Sequence, residues 1–154
     1  MTSSPEPFTT ADLVVLDHDG GDPRSIVAAL AARLAEQGRV TDTDAFVEAV
    51  MKREALEPTA LPGGVAIPHA RHGAVSTLSV AVARLAAPVT FAEGRPDVDV
   101  ALLIAAPDED PSAYLALLAK IANACVRSSF RSSLRTAGSP DEVASLVSSA
   151  IGRL

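Results

Sequence analysis

The chain has 154 residues, 48% hydrophobic and 21% charged, which is the balance of one globular domain with a real core rather than of a disordered chain. The net charge is −6, aromatic residues are 3% and Trp is absent, so neither a basic stripe for nucleic acid nor a platform for base stacking is present. Cys125 is the single cysteine, which excludes an intramolecular disulfide framework and fits a reducing cytosol.

Residues 1–11 are polar, carry two prolines, and read as a flexible N-terminal tail, with the domain over 12–154. That start has neither a basic region nor an apolar signal-type run, and no apolar run approaches about 18 residues. A cytoplasmic protein with no direct membrane insertion is expected. Leu13 to Leu16 predicts a strand, and Asp17-His18-Asp19-Gly20-Gly21 a turn. His18 lies between two aspartates, but neighbouring side chains on an extended segment face opposite ways, so it reads as part of a solvated turn.

Asp22-Pro23 opens a helix, with Asp as N-cap and Pro at the first helical position, and Gly38 ends it. Ile26, Val27, Leu30 and Leu34 make its apolar face. A second helix is predicted over about Thr43 to Leu56, with Phe46, Val47 and Val50 inward. Arg53 follows at helical spacing on the edge of that face. It reads either as a surface arginine with a buried stem or as a residue of a site.

The stretch Leu61-Pro62-Gly63-Gly64-Val65-Ala66-Ile67-Pro68-His69-Ala70-Arg71-His72 organises the rest. Pro-Gly-Gly allows a tight turn and a close approach by a partner protein. Val65 to Ile67 is a brief buried strand that Pro68 should stop, since proline has no N–H for a ladder. His69 is then delivered on a stiff backbone at the strand end, with Arg71 and His72 beside it. Such an imidazole suits an anionic group such as phosphate, and a histidine bonded to a nearby carbonyl is the plainer alternative. Arg71 and His72 either add charge or belong to the rim. His69 and His72 alone do not make a metal site, because zinc needs three or four protein ligands and His18 and Cys125 sit at no ligand spacing. No metal and no cofactor is expected.

Leu78 to Leu85 reads as a strand ended by Pro88, with Leu78, Val80 and Val82 on one face, and Phe91 to Pro96 as a turn. Val98 to Ala106 is a near-continuous apolar run, the mark of a central strand buried on both faces. After an acidic turn, a helix is predicted over about Ser112 to Arg127, with Leu115, Leu118, Ile121, Ala122 and Cys125 inward. A short helix near Phe130 to Thr136 and a last one follow, the last opened by a Ser139-Pro140-Asp141-Glu142 capping box and striped by Val143, Leu146, Val147, Ala150 and Ile151. Strands interleaved with helices give an α/β sandwich in one domain.

Gly-Gly-Val-Ala-Ile-Pro-His-Ala, with Arg53-Glu54-Ala55 upstream, resembles the active-site signature of the fructose/mannitol-type EIIA domain of the phosphoenolpyruvate-dependent sugar phosphotransferase system. The likeness runs from about Leu13 to Ile151 and includes Leu102 to Pro107 and the helix after it. It implies a single mixed β-sheet flanked by helices on both faces. It also implies a phosphocarrier that accepts a phosphoryl group from the carrier protein HPr and passes it to a cysteine of an EIIB domain. His69 matches the accepting histidine, with Nε2 as the attacking atom, and Arg53 the arginine close to it. Many members carry a second histidine at the start of the helix after Ala105-Ala106-Pro107, where this chain has Tyr114. Tyrosine can donate a hydrogen bond to a phosphoryl oxygen but carries no positive charge near neutral pH. Two functions follow from the resemblance: a carrier in sugar uptake, of fructose type, and a regulatory interaction module switched by phosphorylation of His69. An EIIB role would need an exposed cysteine, whereas Cys125 sits mid-helix, and a Walker-type kinase loop is missing.

Overall fold

A computed structural model describes residues 7–19 and 21–154. A short 3-10 turn, Ala11–Leu13, leads into β1 (Val14–His18), and two helices follow, α1 (Pro23–Glu36) and α2 (Thr43–Leu56). Then come β2 (Ala60–Leu61), β3 (Val65–Ala66), β4 (His69–His72), β5 (Ser79–Val89) and β6 (Val98–Pro107). Three helices close the chain: α3 (Ser112–Cys125), α4 (Ser128–Thr136) and α5 (Pro140–Ile151).

The strands form one six-stranded mixed sheet in the order β1-β5-β6-β3-β2, with β4 also on β6. β1 runs parallel to β5, β5 antiparallel to β6, and β3 and β4 both parallel to β6. Alternation along the strands divides the interior in two. Ala81, Ala83, Ala101, Leu103 and Ala105 face α1 and α2, meeting Ile26, Leu30, Leu34, Phe46 and Val50. Val80, Val82, Val100, Leu102 and Ile104 face α3, α4 and α5, meeting Leu117, Ile121, Leu134, Val143 and Val147. The chain is thus the expected single α/β sandwich with helices on both faces. β6 is buried almost throughout, as its apolar run requires.

Local chemistry accounts for the helix ends. Asp22 accepts from the Ser25 N–H at 2.7 Å while the Asp22 N–H reaches Ser25 Oγ at 3.3 Å, a complete reciprocal cap before Pro23. At α5 the cap is displaced by one residue. Ser139 Oγ accepts from the Glu142 N–H, but the Glu142 carboxylate accepts from Gly138 and not from Ser139. Arginines close two C-termini: Arg131 donates to the Cys125 and Val126 carbonyls of α3, and Arg84, from β5, to the Leu134, Arg135 and Ala137 carbonyls of α4.

Several expectations need correction. β5 continues through Pro88, because the β5–β6 ladder lapses between Arg84↔Val100 and Val89↔Val98, and a proline in that bulge removes no hydrogen bond. Asp17 and His18 are strand residues, with Asp17 at φ 55° in a bulge, and His18 Nε2 is buried without a hydrogen-bond partner instead of solvated. In α3 the buried stripe is Leu117, Ile121, Ala124 and Cys125, while Leu115 is 55% exposed. α3 also ends at Cys125, since α4 begins at Ser128. Of the expected tail, residues 1–6 lie outside the described residues. Residues 7–10 run against the domain: the Phe8 carbonyl accepts from the Val80 N–H at 2.7 Å, Arg39 donates to the Pro7 carbonyl at 2.8 Å, and Thr9 is 2% exposed.

Candidate active site

The segment that carries His69 is one strand with an interruption. Ala66 pairs with Ala101 and His69 with Ile104, so the register along β6 is the same before and after Ile67-Pro68. Pro68 cannot donate, yet its carbonyl accepts from the Ile104 N–H at 3.0 Å and holds the alignment. His69 therefore opens β4 and does not end β3, a correction to the strand-end placement. The interruption frees the Ile67 carbonyl, and His69 Nδ1 donates to it at 2.7 Å. A carbonyl only accepts, so the neutral ring carries its proton on Nδ1 and a lone pair on Nε2.

His69 is 6% exposed. Burial pushes its pKa below the usual histidine value, the Ile67 hydrogen bond acts the other way, the Arg53 charge lowers it and the Glu54 charge raises it. The ring is therefore a neutral base at pH 7.

Strand alternation sorts the neighbours. His69 and Arg71 project from the α3 face, Ala70 and His72 from the α2 face. Tyr114, in the first turn of α3, lies with its ring centroid 6.1 Å from that of His69 and the planes tilted by 51°. Burial raises the pKa of the Tyr114 hydroxyl, and the charges of Arg53 and Arg71 draw it back, so the hydroxyl keeps its proton and remains a donor. Arg53, at the C-terminal end of α2, donates to the Glu57 carbonyl at 2.9 Å. Arg71 donates to the Glu109 carbonyl at 3.2 Å and lies 3.8 Å from Asp108. His69, Arg53, Arg71 and Tyr114 thus share one site. His72 does not join it: its Nδ1 accepts from the Ala74 N–H at 2.9 Å, and the ring lies beside Arg24, Glu48 and Lys52.

In the Pro-Gly-Gly turn, the space a glycine leaves is taken up by side chains of the protein itself. Gly63 and Gly64 have φ of 101° and 85°. A Cβ on Gly63 would run into Arg131 Nε, and one on Gly64 would sit 2.6 Å from Arg135 Nη2. Arg135 grips both Asp99 oxygens and also donates to the Gly63 carbonyl. These glycines admit the protein's own arginines.

Glu54 is the residue that pattern reading missed. It is 8% exposed, and its carboxylate accepts from both the N–H and the hydroxyl of Thr59. A carboxylate one position after Arg53 on an otherwise apolar helix edge was the available signal. Among the described residues no group of three or more His, Cys, Asp or Glu side chains is placed to hold a metal ion. No described helix is long and apolar enough to cross a membrane.

Residues 7–150 match the family described as "Phosphoenolpyruvate-dependent sugar phosphotransferase system, EIIA 2". The 2-O-alpha-mannosyl-D-glycerate-specific EIIABC component of Escherichia coli (strain K12) is 34% identical over 141 residues, covering 90% of this chain and 21% of that protein. The fructose-specific EIIA component of Haloferax volcanii is 29% identical over 138 residues, covering 88% of this chain and 89% of that one. The crystal structure of nitrogen regulatory protein IIA-Ntr from Neisseria meningitidis superposes with a TM-score of 0.83 at 29% identity, covering 91% of this chain and 96% of that one. The chain spans only about a fifth of the first curated relatives it matches. With the profile covering nearly its whole length, the chain belongs to the EIIA type 2 family of the sugar phosphotransferase system, whose domains are phosphotransferase components.

Proposed function

We propose that this domain carries a phosphoryl group on Nε2 of His69, taken from a phosphohistidine of an HPr-type carrier and passed to an EIIB cysteine during sugar uptake of fructose type in the cytoplasm. The observation that carries this reading is the Nδ1–Ile67 carbonyl bond, which commits one ring nitrogen to the backbone and leaves the other as the nucleophile. The Nε2 lone pair attacks phosphorus, the P–N bond of the donor breaks, and its electron pair returns to the donor imidazole. The proton stays on Nδ1, donated to the Ile67 carbonyl throughout, and that hydrogen bond stabilises the cationic ring. The loose transition state of phosphoryl transfer needs alignment and positive charge more than covalent help. Arg53 and Arg71 supply the charge and Tyr114 a neutral hydrogen bond to a phosphoryl oxygen. Onward transfer repeats the step with a cysteine thiolate as nucleophile and His69 as leaving group.

A second reading is a regulatory module in which phosphorylation of His69 alters partner binding. It is favoured by Tyr114 in place of the family's second histidine and by the likeness to the IIA-Ntr protein. Incubation with phosphoenolpyruvate, the first enzyme of the system and HPr, read by intact mass and acid lability, tests both. Wild type should gain one acid-labile phosphate, His69→Ala none, and Tyr114→Phe should be slowed on the order of tenfold. Transfer onward to an EIIB cysteine separates carrier from switch. No phosphate on wild type, with the same enzymes active on another EIIA, would remove the carrier reading.

A further inference from the structure

Between α2 and His69 runs a continuous line of polar contacts. The Glu54 carboxylate accepts from the Thr59 N–H at 3.0 Å and from the Thr59 hydroxyl. The Thr59 carbonyl accepts from the Ile67 N–H at 3.4 Å. The Ile67 carbonyl accepts from His69 Nδ1 at 2.7 Å. Next to this line, β2 and β3 pair Ala60 with Ala66 and Leu61 with Val65, so a shift of Thr59 carries Ile67 with it.

The arrangement has a physical reason. Ile67 lies in the interruption between β3 and β4, where its N–H extends the β2–β3 register to Thr59 but its carbonyl takes no part in a strand ladder. Its carbonyl is nevertheless the group that selects the tautomer of His69. The β6 contact through the Pro68 carbonyl holds the peptide from one side and Thr59 from the other, and the charged side chain in the line is Glu54, anchored on a regular helix. A carboxylate that is 8% exposed is costly to bury unless its acceptor sites are filled, and two Thr59 donors fill them.

We propose that Glu54 is a positioning residue for phosphoryl transfer: through Thr59 it fixes the Ile67 carbonyl that keeps the proton on Nδ1 of His69 and Nε2 free to react. Glu54 touches neither the phosphoryl group nor the ring. The claim of a role in transfer rests on the phosphocarrier reading, whereas the claim about the tautomer does not.

The test uses the full chain labelled with 15N, and long-range proton–nitrogen spectra of the His69 ring, with no other protein present. Wild type should show the Nδ1–H tautomer. Glu54→Gln leaves only one acceptor oxygen for two Thr59 donors, and Thr59→Val keeps the Glu54 charge while removing one donor. Both should give a mixture of tautomers and faster exchange of the Ile67 amide, and Thr59→Ser should restore the wild-type spectrum. With the phosphorelay enzymes added, both variants should be phosphorylated more slowly by on the order of tenfold to a hundredfold. The pH profile separates alignment from charge. Both variants weaken the Ile67 hydrogen bond, which moves the acid limb to lower pH; Glu54→Gln also removes a neighbouring anion, so its limb moves further than that of Thr59→Val, which keeps the Glu54 charge.

A wild-type tautomer and amide exchange retained in both variants would overturn the proposal. If Glu54→Gln fails to fold, Thr59→Val and Thr59→Ser decide it alone. A wild type that shows the Nδ1–H tautomer, disturbed in the variants, but takes no phosphate would sink the phosphocarrier reading and leave the positioning of His69 standing.

Discussion

Arg135→Lys is the sharpest test of how the turn before β3 is held. Arg135 Nε lies 3.0 and 2.9 Å from the two Asp99 oxygens, Nη2 lies 2.8 Å from Oδ1, and Nη2 also donates to the Gly63 carbonyl. Lysine keeps the charge but replaces a planar fork by a single ammonium, which cannot span Asp99 and Gly63 together. Hydrogen bonds to charged groups contribute about 1.5–3 kcal/mol each when well shielded. The two side chains are 33% and 27% exposed, so water takes over part of each lost contact and about 1 kcal/mol apiece is the better figure. Losing two should cost about 2 kcal/mol, which lowers the melting temperature of a domain this size by roughly 4–8 °C. Urea denaturation should show the same loss as a lower midpoint at constant slope. A cycle with Arg135→Ala and Asp99→Ala should give a coupling of about 1.5 kcal/mol or more. Arg135→Lys within about 0.5 kcal/mol of wild type, with a coupling below about 0.5 kcal/mol, would show that the clamp does not hold the turn.

Two further outcomes follow from the protonation chemistry. Folding lowers the pKa of His69 from 6.5, so the unfolded chain binds that proton more tightly. The ring's contribution is complete above about pH 6.5 and is lost as pH falls toward the folded value, so His69→Gln should lose stability less steeply between pH 6.5 and 5 than wild type. Parallel stability curves in that range would contradict the buried, neutral histidine. Cys125 is fully buried and its thiol is pushed up to about 11. It should react with a disulfide reagent at pH 8 only after denaturation, and rapid labelling of the native protein would place it elsewhere than the α3 core.

The fold was readable wherever one residue type has one physical use. Asp22-Pro23 could only begin a helix, and the apolar run after Val98 could only be a strand buried twice. The departures occur where tertiary context chooses among equally good local options. Pro88 reads as a strand end until a bulge removes the need for its N–H. Leu115 and Leu117 are equally apolar, and nothing local says which one meets the sheet. The site divides in the same way. His69 and Arg53 stand out because an imidazole after Ile-Pro and an arginine at a helix edge are unusual. Arg71 and His72 are adjacent in sequence, and strand alternation separates them once β4 is known to be a strand. Glu54 was hidden because its partner is a threonine whose importance comes from the backbone it fixes.

The site gathers its cations from the two opposite sides of the sheet, Arg53 from the end of α2 and Arg71 from the α3 face of β4, and both charges act on Tyr114. That is feasible only where a helix end can reach around the sheet. Among the described residues β2 pairs with β3 and β4 with β6, so no further strand covers β4 beyond Pro68, and α2 packs beside it. The Pro68 interruption therefore does two things with one residue. It releases the Ile67 carbonyl to orient His69, and it restarts the strand in unchanged register at an uncovered edge. A regular strand would spend that carbonyl in its own ladder and leave the imidazole free to choose either tautomer. A loop would free the carbonyl but lose the alignment that Ile104 imposes through the Pro68 carbonyl. A strand broken once and resumed in register meets both requirements, which ties the chemistry of the histidine to the proline before it.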